Sequence, residues 1–439
     1  MSAPTHGPAP TREELPLTNP PLRASLAGFF GTTLEWYDYF LYGSAAALVF
    51  PRLFFAGLGE TVGTIVSLAT FSVAFLLRPV GGIIFGHFGD RLGRKSMLII
   101  TLSLMGASTF LIGLMPTREQ IGIWAPVLLI LMRVVQGLAL GGEWGGAALI
   151  AVENAPTGKR GRYGVGMQMG VPAGQLLSSG LLAAVATLPD ASFYSWGWRV
   201  LFLLSAVLLA VGIYVRFGLR ESAHFQRIEE DDAKAKVPLV ELFRTAAKPT
   251  ILLTFIQSGP NIAYYLFTVY SAIYVTTVLH LPRGWALTGV LIAAATEFVT
   301  MPMFAILSDR IGRRPVYLFS VTFLAAYAFP FFWLADTATK PLLWLSLALG
   351  LGIGHSAAGA LHGPLYAEQF PTRVRYTGAS FAYQVCSAIS GAPAAIVAAA
   401  LISATGTTRA VSIYVIAGCA VSAICALLIT ETYRKDISE

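Results

Sequence analysis

Twelve apolar stretches follow one another along this chain of 439 residues. Each is long enough to cross a bilayer, whose ~30 Å core takes about 20 residues of helix. They run over residues 24–50, 61–88, 96–115, 122–153, 163–188 and 198–219, then 249–279, 285–308, 316–335, 341–368, 376–402 and 410–430. Within lipid every backbone N–H and C=O must find a partner in its own segment, so such stretches fold as helices. Composition agrees: 55% of residues are hydrophobic and only 12% charged, against about 25% charged in soluble domains. So few charges cannot cover a soluble surface. A soluble enzyme, a disordered chain and a DNA-binding domain are all excluded. The expected fold is an all-α integral membrane protein of twelve transmembrane helices in two six-helix halves. An even number of spans puts both termini on one side.

The charges that remain are placed unevenly. Of the 30 Lys and Arg, 22 fall on the side of the termini and 6 on the other, while Arg78 and Arg133 lie inside spans. Basic loops stay in the cytoplasm, so both termini are expected there. The net charge of +7 then reflects topology and calls for no nucleic-acid partner. Cys386, Cys419 and Cys425 sit in apolar stretches without a CxxC pair, which supports neither a disulfide scaffold nor a zinc site. Residues 1–22 are polar and Pro-rich without an apolar core, and read as a tail rather than a signal peptide.

The organisation expected is a cytoplasmic tail (1–22), a first half (23–219), a cytoplasmic linker (220–248) with acidic residues at 229–232, a second half (249–430) and a short tail (431–439). The halves repeat. Asp90-Arg91-Leu92-Gly93-Arg94-Lys95 returns as Asp309-Arg310-Ile311-Gly312-Arg313-Arg314, 219 residues on. Glu153-x-x-Pro156-Thr157-x-x-Arg160 returns as Glu368-x-x-Pro371-Thr372-x-x-Arg375, 215 residues on. Repeats flanking a central substrate path are a transporter plan.

These repeated loops resemble the major facilitator superfamily, and the likeness covers essentially the whole chain. Within that superfamily, the string Gly31-Thr32-Thr33-Leu34-Glu35-Trp36-Tyr37-Asp38 is similar to the first helix of the metabolite:proton symporters. Phe75-x-x-Arg78-Pro79, Arg133-Val134-Val135-Gln136-Gly137 and Gly141-Gly142-Glu143-Trp144 carry the same likeness. The wording around Glu143 and Glu153 looks most like the shikimate-transporter branch. The resemblance implies proton-driven uptake of small, mostly carboxylated metabolites across the inner membrane. It implies no enzyme activity and no bound cofactor beyond the proton, and the two-halved plan needs only a monomer.

A charge at mid-helix costs about 2.5–3.5 kcal/mol on insertion scales, so each needs a partner or a task. Glu35, Asp38, Arg78, Arg133, Glu143 and Glu297 are such charges. A buried carboxylate whose partner arginine moves with conformation links proton binding to alternating access. Related sugar–proton symporters pair a first-helix Asp with a fourth-helix Arg, which carries over to Asp38 and Arg133. Glu35 stands second for proton coupling, and Glu143 either couples or bridges permanently to Arg78.

Substrate is expected at mid-depth between the halves. Arg78 is the candidate anchor, because a guanidinium forks onto a carboxylate. Tyr42, Gln136, Gln168, Gln257, Asn261, Tyr264, Tyr265, Glu297, His355 and Gln384 are the other polar candidates, and Trp36 and Tyr270 could add an aromatic wall. By family logic Asp90, Arg91, Arg94, Glu153 and Arg160, with Asp309, Arg310, Arg313, Glu368 and Arg375, form a cytoplasmic gate. Two other readings stand beside carboxylate uptake: a proline or betaine symporter, and an exporter. The short stretch after the last span argues against osmosensing but not against osmolyte transport. No G-x4-G-K-[ST] loop is present, which argues against a transport ATPase.

Overall fold

The computed structural model describes residues 17–230 and 236–437; the larger part of the expected N-terminal tail, Asp231 and Asp232 of the acidic run, and the last two residues lie outside them. Twelve helical rods cross the fold. In chain order they are Pro21–Leu48, Glu60–Leu92, Arg94–Leu114, Trp124–Glu153, Arg160–Val185 and Asp190–Phe217, then 247–278, Arg283–Ile311, Arg313–Ala335, Lys340–Ala367, Thr372–Thr405 and Arg409–Leu428. They are called the first to twelfth spans below. The linker forms two short helices, Ala223–Glu230 and Pro238–Thr245. Outward faces are apolar, with Leu76, Val299, Met303 and Ile396 all exposed. This is what lipid contact requires and the reverse of a soluble surface.

Among the described residues, nine helices are long and apolar enough to cross a membrane. The first, fifth and seventh spans fall short. The first carries Glu35 and Asp38, the fifth is rich in Gly and Gln, and the seventh breaks at Gln257. These three also line the central cavity described below, so they are shielded from lipid and can carry polar groups that a lipid-facing rod cannot.

Small residues let the rods close up. A Cβ on Gly174 would meet the backbone of Thr33 and Tyr37, and one on Gly141 the backbone between Arg78 and Gly82. The first span thus lies against the fifth, and the second against the fourth. The halves meet where the fifth span packs on the eighth and the second on the eleventh. The sixth, seventh, tenth and eleventh spans each contain π-helical turns: Phe193–Gly197, Leu266–Tyr270, Tyr274–Val278, Gly350–His355 and Ser387–Gly391. A π turn re-aims side chains and often marks a working site. Here His355 ends one and Ser387 begins another, and both face the cavity.

One correction concerns Glu143. Its partner is Arg216, which the charge pattern had counted among the basic residues of the cytoplasmic side. Arg216 is fully buried on the sixth span and pairs with both Glu143 oxygens. Thr101 donates to Glu143 at 2.8 Å and Arg216 to the Leu98 carbonyl at 2.5 Å. The pair ties three helices inside the first half, away from Arg78. Removing one partner of a buried pair costs about 3–5 kcal/mol. Glu143→Gln is therefore expected to lower the melting temperature and the yield of folded protein. The double change Glu143→Gln with Arg216→Met is expected to recover most of that loss, measured by thermal unfolding in detergent.

Candidate functional site

The two ends of the described residues lie on one face of the bundle, and there the repeated motifs meet. Asp90, at the end of the second span, accepts from the backbone N–H groups of Tyr376 and Thr377 at 3.1 and 2.9 Å. Asp309, at the end of the eighth, accepts from Gly161 and Arg162, both at 2.8 Å. Each carboxylate caps the first turn of a helix in the other half, where free N–H groups and the helix dipole favour an anion. Glu153 lies between Arg94 at 3.2 Å and Arg375 at 2.9 Å. Glu368 lies between Arg313 at 3.1 Å and Arg160 at 3.9 Å. All these arginines and both glutamates are buried. The two loop glycines, Gly93 and Gly312, have φ of 103° and 105°, which side-chain-bearing residues rarely adopt. Arg91 and Arg310, expected in the latch, are instead exposed and stay outside it.

The latch has members that the motif search missed. Glu221 accepts from the N–H of Lys95 at 3.1 Å, at the start of the third span. Glu431 accepts from Arg313 and Arg314 at 3.0 and 2.9 Å, at the start of the ninth. Each is followed by a hydroxyl on the latch: Ser222 accepts from Arg94 and Thr432 donates to Glu368. Glu221-Ser222 and Glu431-Thr432 stand 210 residues apart, so extending the repeat past the sixth and twelfth spans would have found them. Burial holds Glu221 above the usual carboxylate range and takes the imidazole of His224 down to about 4. His224 therefore adds no positive charge beside the arginines at neutral pH. The expected tails are docked where they are described. Asn19 binds Asn154 and Arg220, while the carbonyls of Lys435 and Ile437 accept from Arg160 and Arg375.

Deeper in the first half, Asp38 and Arg133 form the expected pair at 3.1 Å. Thr109 and Gln136 each donate to the other Asp38 oxygen at 2.8 Å. The Tyr42 ring covers the guanidinium at 3.8 Å, and its hydroxyl bonds Thr70 at 2.8 Å. Gln136 and Tyr42, expected to touch substrate, thus belong to this closed network.

Midway between the halves is a cavity lined by Trp36, Arg78, Gln168, Val171, Asn261, Tyr264, Tyr265, His355, His362, Tyr383 and Ser387. The space left is about 20 Å³, room for one water. With the latch shut, the bundle is closed on the face of the termini. Of the expected contacts, Arg78, Asn261, Tyr264 and His355 reach the cavity, with Gln168, Tyr265 and Trp36. Glu297 sits behind His355, 2.6 Å from its Nδ1. Gln384 donates instead to the Leu140 carbonyl at 3.2 Å. Gln257 and Tyr270 are buried outside the cavity lining. His362, Tyr383 and Ser387 were missed. His362 follows His355 by two helical turns on a Gly-rich span, and that spacing was the available signal.

The polar atoms around this cavity are unevenly satisfied. Gln168 joins Trp144 to His362, at 3.2 and 2.9 Å, and Tyr383 stacks on Trp144 with ring centroids 3.8 Å apart. Asn261 donates to Ser390. Yet Arg78 Nε, Glu35 Oε2, Tyr264 Oη, Glu297 Oε2 and His362 Nε2 are buried without a hydrogen-bond partner among the described residues. Arg78 and Glu35 stand 3.6 Å apart, beyond hydrogen-bond reach. A fold built only for stability satisfies such groups. Arg78, Tyr264 and His362 line the cavity itself, so a ligand there can complete their hydrogen bonds.

The family model described as Major Facilitator Superfamily matches residues 28–395. The chain is similar to the shikimate transporter of Escherichia coli (strain K12), 41% identical over 94% of this chain and 95% of that protein. It is also similar to the proline/betaine transporter of the same strain, 33% identical over 84% of this chain and 75% of that protein. Among solved structures, the proton:xylose symporter XylE bound to 6-bromo-6-deoxy-D-glucose superposes with a TM-score of 0.75 at 16% identity, covering 95% of this chain and 98% of that one. That likeness is one of fold.

Proposed function

The chain belongs to the major facilitator superfamily and is a multi-pass membrane transporter rather than an enzyme; from this premise we propose that it is a proton-coupled symporter importing a small carboxylated metabolite across a bacterial inner membrane, with both termini cytoplasmic. The observation that carries the reading is Arg78. It is a buried guanidinium on the central cavity, and its nearest carboxylate is held too loosely to satisfy it. A substrate carboxylate can take that place bidentately. Tyr264 and His362, across the cavity, offer a hydroxyl and a ring nitrogen to hydroxyl groups of the same substrate. The likeness to a shikimate transporter supports a hydroxylated cyclic acid in particular. The aromatic rim of Trp36, Tyr264, Tyr265 and Tyr383 favours a second reading, betaine, whose quaternary ammonium suits a cation–π site.

Two carboxylates of the first half stand ready for the proton, Asp38 and Glu35, and no metal or organic cofactor is required. The latch of Asp90, Glu153, Asp309 and Glu368 is proposed as the cytoplasmic gate, which parts to release substrate.

The test follows external pH in weakly buffered, anaerobic cells given shikimate, 2-oxoglutarate, citrate, proline and betaine in turn. Alkalinisation with a carboxylic acid and not with betaine or proline is the expected result. Alkalinisation with betaine or proline alone would move the assignment to osmolyte uptake. No response to any of them, with the protein present in the membrane, would speak against the symport proposed.

A further inference from the structure

Resting on the symport reading, we infer that substrate and proton are coupled through competition for one guanidinium: the substrate carboxylate takes Arg78 from Glu35, and Glu35, left without a counter-charge, takes the proton.

The two acidic groups of the first span are held very differently. Asp38 accepts three hydrogen bonds, from Arg133, Gln136 and Thr109. Its arginine is roofed by Tyr42. Both Asp38 oxygens are hydrogen-bonded, and no cavity-lining residue belongs to that network. Glu35 lies one residue before Trp36, a wall of the cavity. It faces Arg78 from the second span, Glu143 from the fourth, Asp38 from its own, Tyr265 from the seventh and Tyr383 from the eleventh. Glu143 is committed to Arg216 and Asp38 to Arg133. Arg78 is thus the one cation that faces Glu35 among the described residues. It lies 3.6 Å away, with Nε and Oε2 both unsatisfied.

The pair is therefore easy to part, and the consequence is set by burial. Glu35 and Arg78 are only 3% and 4% exposed. A carboxylate stripped of its partner in such a place does not persist as an ion but is neutralised. The proton comes from water admitted with the substrate, and it leaves when Glu35 regains Arg78 on the other side. Substrate binding then favours proton binding, and the reverse, as linkage requires. An anionic substrate and a proton enter as a neutral pair, leaving the charge of the site unchanged.

Infrared spectroscopy of the purified full-length protein tests this without any substrate. Arg78→Gln is expected to gain a carbonyl band of a protonated carboxyl group relative to wild type. The band should vanish in Arg78→Gln with Glu35→Gln and persist in Arg78→Gln with Asp38→Asn. No gained band, or a band that survives Glu35→Gln, would overturn the inference. Should Arg78→Gln not accumulate as folded protein, wild type serves. Adding shikimate in weak buffer, with binding followed by tryptophan fluorescence, is expected to take up about one proton per shikimate bound, and none in Glu35→Gln. Binding without proton uptake would overturn the inference as well. A wild type that binds no shikimate would overturn the shikimate reading alone, and the same proton count with the acid of the uptake panel that it does bind then decides the coupling.

Discussion

With glutamine at position 78, carboxylate uptake is expected to fall at least about 30-fold while the protein still reaches the membrane. Losing one partner of a buried charged contact costs about 2–5 kcal/mol, and each 1.4 kcal/mol is about tenfold in affinity. Both proton-driven accumulation and exchange of internal for external substrate should fail, because the anchor itself is lost. Arg78→Lys keeps the charge without the fork and is expected to retain part of the affinity. Glu35→Gln separates anchor from proton: exchange survives and accumulation does not. Radiolabelled shikimate in proteoliposomes, with and without a pH gradient, reads all three variants. Wild-type accumulation in Arg78→Gln would remove Arg78 from the substrate site and leave the cavity's loose ion pair without a task.

The second large effect is expected at the latch. Glu153 and Glu368 each hold two buried arginines across the closed face. Changing both to glutamine takes a glutamate counter-charge from Arg94, Arg160, Arg313 and Arg375 in the closed state, and leaves Arg313 its pair with Asp309. Opening hydrates them. Breaking a buried pair costs about 3–5 kcal/mol, so two clusters supply at least about 6 kcal/mol against closure. A two-state population swings from 1:99 to 99:1 with about 5.5 kcal/mol. The double variant is therefore expected to stand open on the face of the termini. A cysteine introduced at Ala379, fully buried in the closed bundle, should turn from protected to reactive toward a water-soluble maleimide. Substrate-driven accumulation should stop, since a gate that cannot close cannot alternate. Continued protection of that cysteine would mean that the aromatic and glycine contacts between the halves suffice to keep the face shut.

Parts of the site were readable from residue order because they are local and repeated. The Asp-Arg-x-Gly-Arg loops and the Glu-x-x-Pro-Thr pairs needed only the period of the halves, and the Asp38–Arg133 pairing came from the resemblance to sugar–proton symporters. Other parts were not. Arg216 lies so near the end of its span that its number alone assigned it to a basic loop, whereas its side chain reaches inward to Glu143. Gln136 and Gln384 have the depth expected of substrate contacts. Rotation about the helix axis decides between cavity and interior, and three residues on one side of a helix can face different neighbours.

What this sequence determined by itself is the class of fold: twelve helices in two related halves, with basic residues concentrated on one face and few charges at mid-membrane positions. Lipid enforces that result, since it tolerates neither an unpaired backbone group nor an unpartnered charge. Only the tertiary structure decided which charges are finished and which are waiting. Both oxygens of Asp38 and of Glu143 are hydrogen-bonded, whereas Glu35 meets Arg78 only at 3.6 Å. That distinction rests on gaps of less than an ångström between side chains from different helices, and packing rather than residue order sets them.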